Sequence, residues 1–321
     1  MHKFLKMILA PWTVLELGLG YLNVKWEKWN EHTKVERFHQ HYGSSPLDIA
    51  DIWYDLVHDD GTYLQDDVLL ESEKNEKGFI KYIMTHLWLW TYPKNAGVFS
   101  SRSGICERNC RGDPVWKWIR RIGALKVKKI KWENVNGSEY LEVFAASVDG
   151  VDFHLREEKH PTLPCDTKAS SHKIKKYAAK YEIALAVHRP KCVHISGPYK
   201  GGVSDITIFR IGGLREKFEK MNRVIRGIRR VKLCLADRGY HSKEENDNKI
   251  FSLPNTYDSK ELNNFKSRGR LRHETFNGRL KFFDVLSAPF RHGFNKHKHV
   301  FEAVVVIVQY QMDNGSPIYA V

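Results

Sequence analysis

Near residue 140 the apolar residues of this 321-residue chain change their period, and that change limits the folds open to it. Before it, apolar side chains recur at helical spacing. Ser45-Pro46 supplies an N-cap residue and a proline at the first helical position, and Ile49, Ile52, Trp53, Leu56 and Val57 follow on one face. Asp113-Pro114 repeats the device before Val115, Trp118, Ile119 and Ile122, and Phe79 to Trp90 is a third candidate helix ending near Pro93. From Tyr140 onward the pattern is that of strands. Leu141 to Val148 is one apolar run, Val151, Phe153 and Leu155 alternate with polar residues, and Glu182 to Val187, Cys192 to Ile195 and Val231 to Ala236 read alike. Helices are expected again at about 204–221, 268–283 and 296–312. The pattern predicts a mainly helical N-terminal region, residues 1–138, and an α/β domain, residues 139–315, in which helices flank a mixed sheet.

An apolar fraction of 42% is enough for packed cores, which excludes disordered and fibrous classes. The formal charge of +14 makes a polyanion the first partner to consider, because a basic surface gains affinity by releasing the counterions of nucleic acid. The charge is uneven. Residues 1–100 hold 10 basic and 14 acidic side chains, residues 101–140 hold 10 and 4, and residues 141–321 hold 32 and 20. Asp51 to Glu76 contains nine acids and one lysine and would repel phosphate, whereas Lys117, Arg120, Arg121, Lys126, Lys128, Lys129 and Lys131 follow Asp113. A helix-turn-helix reading of this half would therefore contact DNA through residues 113–131; the plain alternative is a solvated face.

Five cysteines give no disulfide framework and point to a reducing compartment, and Cys106 and Cys110 lack the second pair that a zinc site needs. Near the N-terminus, Pro11 and Glu16 interrupt the apolar run that follows Lys6, so a packed amphipathic segment is expected there rather than a membrane span. Ala303 to Val308 is also too short to span and reads as buried.

Chemistry concentrates at three places. Two β-like runs end in acids, at Ala145-Ala-Ser-Val-Asp149-Gly150 and Leu233-Cys-Leu-Ala-Asp237-Arg-Gly239. Further on, Arg270, Glu274 and Lys281 fall within roughly 40° of one another at about 100° per helical residue. Phosphoryl transfer needs an activated oxygen and a stabilised leaving oxygen, and divalent cations held by carboxylates supply both. Asp149, Asp237 and Glu274 are the natural set for Mg²⁺ or Mn²⁺. Taken singly, each has a bland reading: Asp149-Gly150 as a turn, Asp237-Arg-Gly as a loop, Glu274 as the ion-pair partner of Arg270. Asp205 is a competing acid, with helix capping by Ser204 or Asp205 set against metal or supporting duty. His292, His297 and His299, among Arg291, Lys296 and Lys298, read as a basic DNA-facing or solvated segment.

Val148-Asp149-Gly150, Ala236-Asp237-Arg-Gly-Tyr240 and Glu274 with Lys281 resemble the DDE transposases of the PIF/Harbinger group, relatives of bacterial insertion-sequence enzymes. The resemblance covers roughly 140–315, including Ser196-Gly-Pro-Tyr-Lys-Gly-Gly-Val-Ser-Asp205 and Phe290-Arg-His-Gly. It implies an RNase H-like fold with the first acid on the first strand, the second just after the fourth and the glutamate on a late helix. It also implies that Arg270 and Lys281 hold DNA phosphates; Ser267 stands where bacterial relatives carry a tyrosine. The expected function is a metal-dependent DNA endonuclease or transposase-derived enzyme, and the alternative is a domesticated, catalytically silent descendant that binds DNA or protein. By the same resemblance the partners would be DNA, a separate Myb-like DNA-binding protein and further copies of the chain, with no membrane, and the location the nucleus.

Overall fold

A computed structural model of the chain describes residues 9–22, 25–92, 113–132, 143–156, 167–222, 224–225, 228–229, 233–253 and 255–319. Cys106 and Cys110 lie outside the described residues, as does Leu141. In chain order the main elements are α1 (Pro11–Tyr21), α2 (Glu31–Tyr42), α3 (Pro46–Val57), α4 (Glu76–Thr91), α5 (Asp113–Ala124), β1 (Phe144–His154), β2 (Ala178–Ala186) and β3 (Cys192–Lys200). There follow α6 (Asp205–Ile211), α7 (Leu214–Met221), β4 (Leu233–Leu235), β5 (Phe251–Ser252), α8 (Lys260–Phe282) and α9 (Phe294–Asp313). No helix among the described residues is long and apolar enough to cross a membrane.

Contacts divide the chain into two units. The first comprises Met1–Lys129, Arg279–Ala288 and Lys298–Ser316, and the second Ile130–Gly278, Pro289–His297 and Pro317–Val321. The sequence boundary at 138/139 cuts the chain once, whereas the first unit takes helical segments from both ends of it. Most of α9 belongs there because Val304 to Val308 are wholly buried and its polar residues reach the N-terminal helices. Gln311 donates to the Gly43 carbonyl at 2.7 Å, and Asn314 donates to Asp48 and Asp51.

Within the first unit, α3 begins as the sequence predicts. Ser45 and Asp48 form a capping box that satisfies two otherwise orphaned N–H groups, and Pro46 occupies the first turn. Gly43 closes α2 at φ 67°, and a Cβ there would lie 2.0 Å from the Trp90 ring, so only glycine fits. The core is aromatic: Trp53 meets Phe79, Tyr82 and Trp118 at ring separations of 5.2, 5.3 and 5.7 Å.

The two oppositely charged runs of this half meet each other. Lys117 pairs with Glu73 at 3.0 Å, Arg120 with Asp67 at 3.9 Å, Arg121 with Glu73 at 2.8 Å and Lys128 with Asp55 at 2.6 Å. Lys126 and Lys129 pair with Glu302 and Asp313 of α9. The cations of 117–129 are thus engaged with carboxylates of their own unit and do not form the bare cationic face that local composition suggests.

The second unit is built on a mixed five-stranded sheet in the order β3-β2-β1-β4-β5. β1, β2 and β3 are antiparallel neighbours, and β4 and β5 run parallel to β1 and to each other. This order and polarity are compatible with an RNase H-like fold. Two features differ from the sequence reading. Asp149-Gly150 is not a turn, because β1 continues through it, with Asp149 opposite Ile183 and Gly150 opposite Glu182. The stretch 204–221 breaks into two helices at Gly212-Gly213, where Gly213 adopts φ 86°. β5, only two residues long, carries too short an apolar pattern to be read in advance.

Strand alternation assigns the two faces of β1. Ala146 and Val148 join Phe209, Leu214 and Phe218 of α6 and α7 in one apolar cluster. Ser147 and Asp149 face α8, where His273 Nε2 lies 2.9 Å from Ser147 Oγ. Buried Arg272 fastens α8 to the β2–β3 turn by donating to the carbonyls of Ala186, Val187 and Arg189. His297, expected in a basic solvated segment, is instead fully buried, with Nδ1 2.8 Å from the Tyr181 hydroxyl. Burial pushes its imidazole down to about 3, so it is neutral and belongs to the core.

Candidate active site

β4 pairs with β1 only as far as Ser147, so the rest of β1 has no β4 partner on that side. Asp149 is the second residue past that point, and Asp237 the second past the end of β4. The parallel pairing of these two strands is what brings acids 88 positions apart to one notch in the sheet. Asp237 begins a short 3₁₀ turn, and its Oδ1 accepts the Gly239 N–H at 2.8 Å. Asp149 receives the Asn277 side-chain amide at 3.4 Å, a long and weak contact.

Electrostatics place a third acid beside this pair. Burial pushes the Asp149 carboxyl up to about 6; Lys173 opposes the rise, and the charges of Asp237 and Asp205 add to it. Asp205 is the first residue of α6, but Ser204 caps that helix by accepting from Thr207 N, so the Asp205 carboxylate is turned elsewhere. Its Oδ1 accepts from Lys180 Nζ at 3.2 Å, and Lys180 also donates to the Val203 carbonyl at 3.0 Å. Of the two readings open to Asp205, capping is therefore discharged by its neighbour.

Glu274 is exposed and lies three residues before Asn277 on α8. The face of α8 turned to the sheet is set by buried Arg272, His273 and Phe276, with Asn277 at its edge reaching Asp149 while Glu274 is exposed. Burial raises the phenol of Tyr319, and Glu274 adds to that rise, which locates the glutamate near the C-terminal segment that carries Tyr319. Arg270 does not pair with Glu274; its guanidinium donates to the Lys266 carbonyl and to Ser267 Oγ. Lys281 is exposed in the last turn of α8. Among the described residues no three His, Cys, Asp or Glu side chains already stand at metal-holding positions. The sequence offered no signal for Lys173 or Lys180; Asn277 had one, being four residues from His273 on the apolar stripe of α8.

The sequence pattern of DDE superfamily endonucleases matches residues 148–309, half of the chain. The chain belongs to this family. The match begins one residue before Asp149 and takes in Asp205, Asp237, Arg270, Glu274 and Lys281. No curated protein and no solved structure matches the chain. Members of this family normally use divalent metal ions. In this chain Asp149 and Asp237 fit such an ion, because the charge of Asp237 raises the Asp149 carboxyl and a hard cation bound through oxygen would relieve it.

The raised Asp149 carboxyl carries a stability consequence. With a folded value of about 6 against 3.8 when unperturbed, folding is favoured by protonation. The contribution is complete below the unperturbed value and lost as pH rises through about 6. A shift of about two units corresponds to roughly 3 kcal/mol. Asp149→Asn is accordingly expected to melt higher than the parent at about pH 8 without metal and to lose that advantage near pH 4. Thermal melts in chelator at both pH values check this. The same difference at both would mean that the charge of Asp149 is not what the fold resists.

Proposed function

We propose that this chain is a divalent-metal-dependent DNA endonuclease of transposase type, of the PIF/Harbinger kind, with an RNase H-like catalytic domain. The observation that carries the reading is the meeting of Asp149 and Asp237 at the notch beside β4, within the family-matched residues. Asp149 and Asp237 would hold Mg²⁺ or Mn²⁺, with Glu274 as the third acid by family pattern. Such an ion, when bound, polarises a phosphodiester and lowers the pKa of the attacking oxygen. The protein's own residues set the stage: Gly239 N–H orients Asp237, and Asn277 orients Asp149. Arg270 and Lys281 would neutralise DNA phosphates along α8.

Lys281→Ala should therefore weaken DNA binding more at low salt than at high salt, with the salt slope reduced by about one unit. An unchanged slope in a filter-binding or anisotropy titration would make Lys281 a solvated residue only. Lys117, Arg120, Arg121, Lys126, Lys128 and Lys129 are ion-paired and so less available to phosphate; from the family resemblance we add a separate Myb-like DNA-binding partner, self-association and a nuclear location to the proposal.

A second reading, a silent descendant that binds DNA or protein, is favoured by one observation: Asn277, which is not a carboxylate, faces Asp149 while Glu274 is exposed. Incubating DNA with the intact chain in Mg²⁺ or Mn²⁺ separates the two. Cleavage that Asp237→Asn lacks supports the nuclease, and DNA binding without cleavage in either ion supports the silent form.

A further inference from the structure

We propose that Asp205 is a further carboxylate of the metal-holding group, beside Asp149 and Asp237; this rests on the reading of the chain as a metal-dependent nuclease. Two glycines carry the argument. A Cβ built on Gly150 would lie 2.4 Å from Asp205 Oδ1, and one built on Gly239 would lie 2.9 Å from Asp205 Oδ2. Neither glycine has a positive φ that would itself require glycine. Glycine inside a strand costs about 0.5–1 kcal/mol relative to alanine, so Gly150 in mid-strand has to be explained by space, and the space is filled by the Asp205 carboxylate.

The same construction locates that carboxylate against Asp237. Asp237 Oδ1 is also 2.9 Å from the Gly239 Cβ position, so it and Asp205 Oδ2 flank one point and are separated by no more than twice 2.9 Å. Lys180 engages Oδ1 only, which leaves Oδ2 directed to the Asp237 side. An independent feature lies on the same face. Glu182 is the cross-strand partner of Gly150, so its side chain shares the face on which Asp205 sits. It is 0% exposed, and neither of its oxygens has a hydrogen-bond partner. His194 Nε2 stands 3.9 Å from one of those oxygens, so Glu182 adds a buried carboxyl behind the converging aspartates, on the side of the notch where a cation would be favoured. Asp149 approaches from the α8 face, Asp205 from the α6 face and Asp237 from the end of β4, so the three surround the notch from different elements.

The test is Mn²⁺ binding to the whole chain without DNA, by electron paramagnetic resonance or calorimetry, with cleavage measured in parallel. Asp205→Asn is expected to weaken Mn²⁺ binding by at least the roughly 10–100-fold that loss of a supporting partner costs. Gly150→Ala, which crowds the Asp205 carboxylate and keeps every acid, is expected to weaken it in the same direction and covers the case in which Asp205→Asn does not fold. Lys180→Met removes the ion pair but no carboxylate, so it separates a merely structural Asp205 from a metal-directed one. Parent-like Mn²⁺ affinity in both Asp205→Asn and Gly150→Ala, with the parent binding Mn²⁺ and cutting DNA, overturns the role of Asp205 alone. So does a loss of affinity in Lys180→Met as large as that in Asp205→Asn. A parent that neither binds Mn²⁺ nor cuts DNA overturns this inference together with the nuclease reading.

Discussion

Asp237→Asn is expected to abolish metal-dependent DNA cleavage, by more than the roughly 10–100-fold that loss of a supporting partner costs at metal sites, while leaving DNA affinity nearly intact. The asparagine keeps the volume of the side chain and one oxygen to accept the Gly239 N–H, so the 3₁₀ turn at Arg238–Tyr240 should survive. What it removes is a negative charge at the notch. That charge raises the Asp149 carboxyl in the metal-free protein, so its loss also lowers the Asp149 value, and the direction is measurable by carboxyl NMR. Glu274→Gln, assayed beside it, addresses the exposed acid of α8 separately. Cleavage by Asp237→Asn at the parental rate would remove this residue from the reaction and with it the main support for the notch as the active site.

Arg121→Met is expected to destabilise the first unit by about 1–3 kcal/mol, the usual consequence of leaving buried acceptors without their donor. Arg121 is 1% exposed. Its guanidinium donates to both oxygens of Glu73, at 3.1 and 2.8 Å, and to the carbonyls of Asp67 and Val68 at 2.9 and 3.2 Å. Methionine fills much of the same space but donates nothing, so two carbonyls lose this donor and Glu73 keeps only Lys117 and the Leu70 N–H. Although burial pushes Glu73 up, the hydrogen bonds from Arg121 and Lys117 more than offset it and hold the carboxyl down at about 2. Because the folded value is depressed, the stabilisation is present above the unperturbed value of 4.5 and is lost as pH falls through about 2. The deficit of the variant should therefore be full at neutral pH and shrink in acid. Denaturant unfolding followed by tryptophan fluorescence measures it, since Trp53 and Trp118 lie in the same unit. A loss below about 1 kcal/mol at neutral pH would reduce the pair to the worth of a surface salt bridge.

The sequence by itself determined what depends on neighbours a few residues away. Ser45-Pro46 starts α3 because a capping oxygen and a fixed φ act within one turn, and β4 delivers Asp237 just past a strand end because strand residues and the turn after them are contiguous. The acids Asp149 and Asp237 were legible for the same reason, each being tied to its own apolar run. Where the reading depended on distant partners, only the tertiary structure decided. Local composition made 51–76 repulsive and 113–131 attractive to DNA, yet Glu73 and Arg121, 48 positions apart, neutralise each other, because charge sign is local and pairing is not. Glu274 fits a helical stripe with Arg270 and Lys281, but which stripe meets the sheet is set by the burial of Arg272, His273 and Phe276, and that choice put Asn277 opposite Asp149. Asp205 looked like a cap until the packing of Gly150 and Gly239 against its carboxylate showed where it points. Side-chain direction across a sheet depends on register, and register is fixed by partners 24 to 89 residues away, from His154↔Ala178 to Phe144↔Leu233, beyond any local pattern.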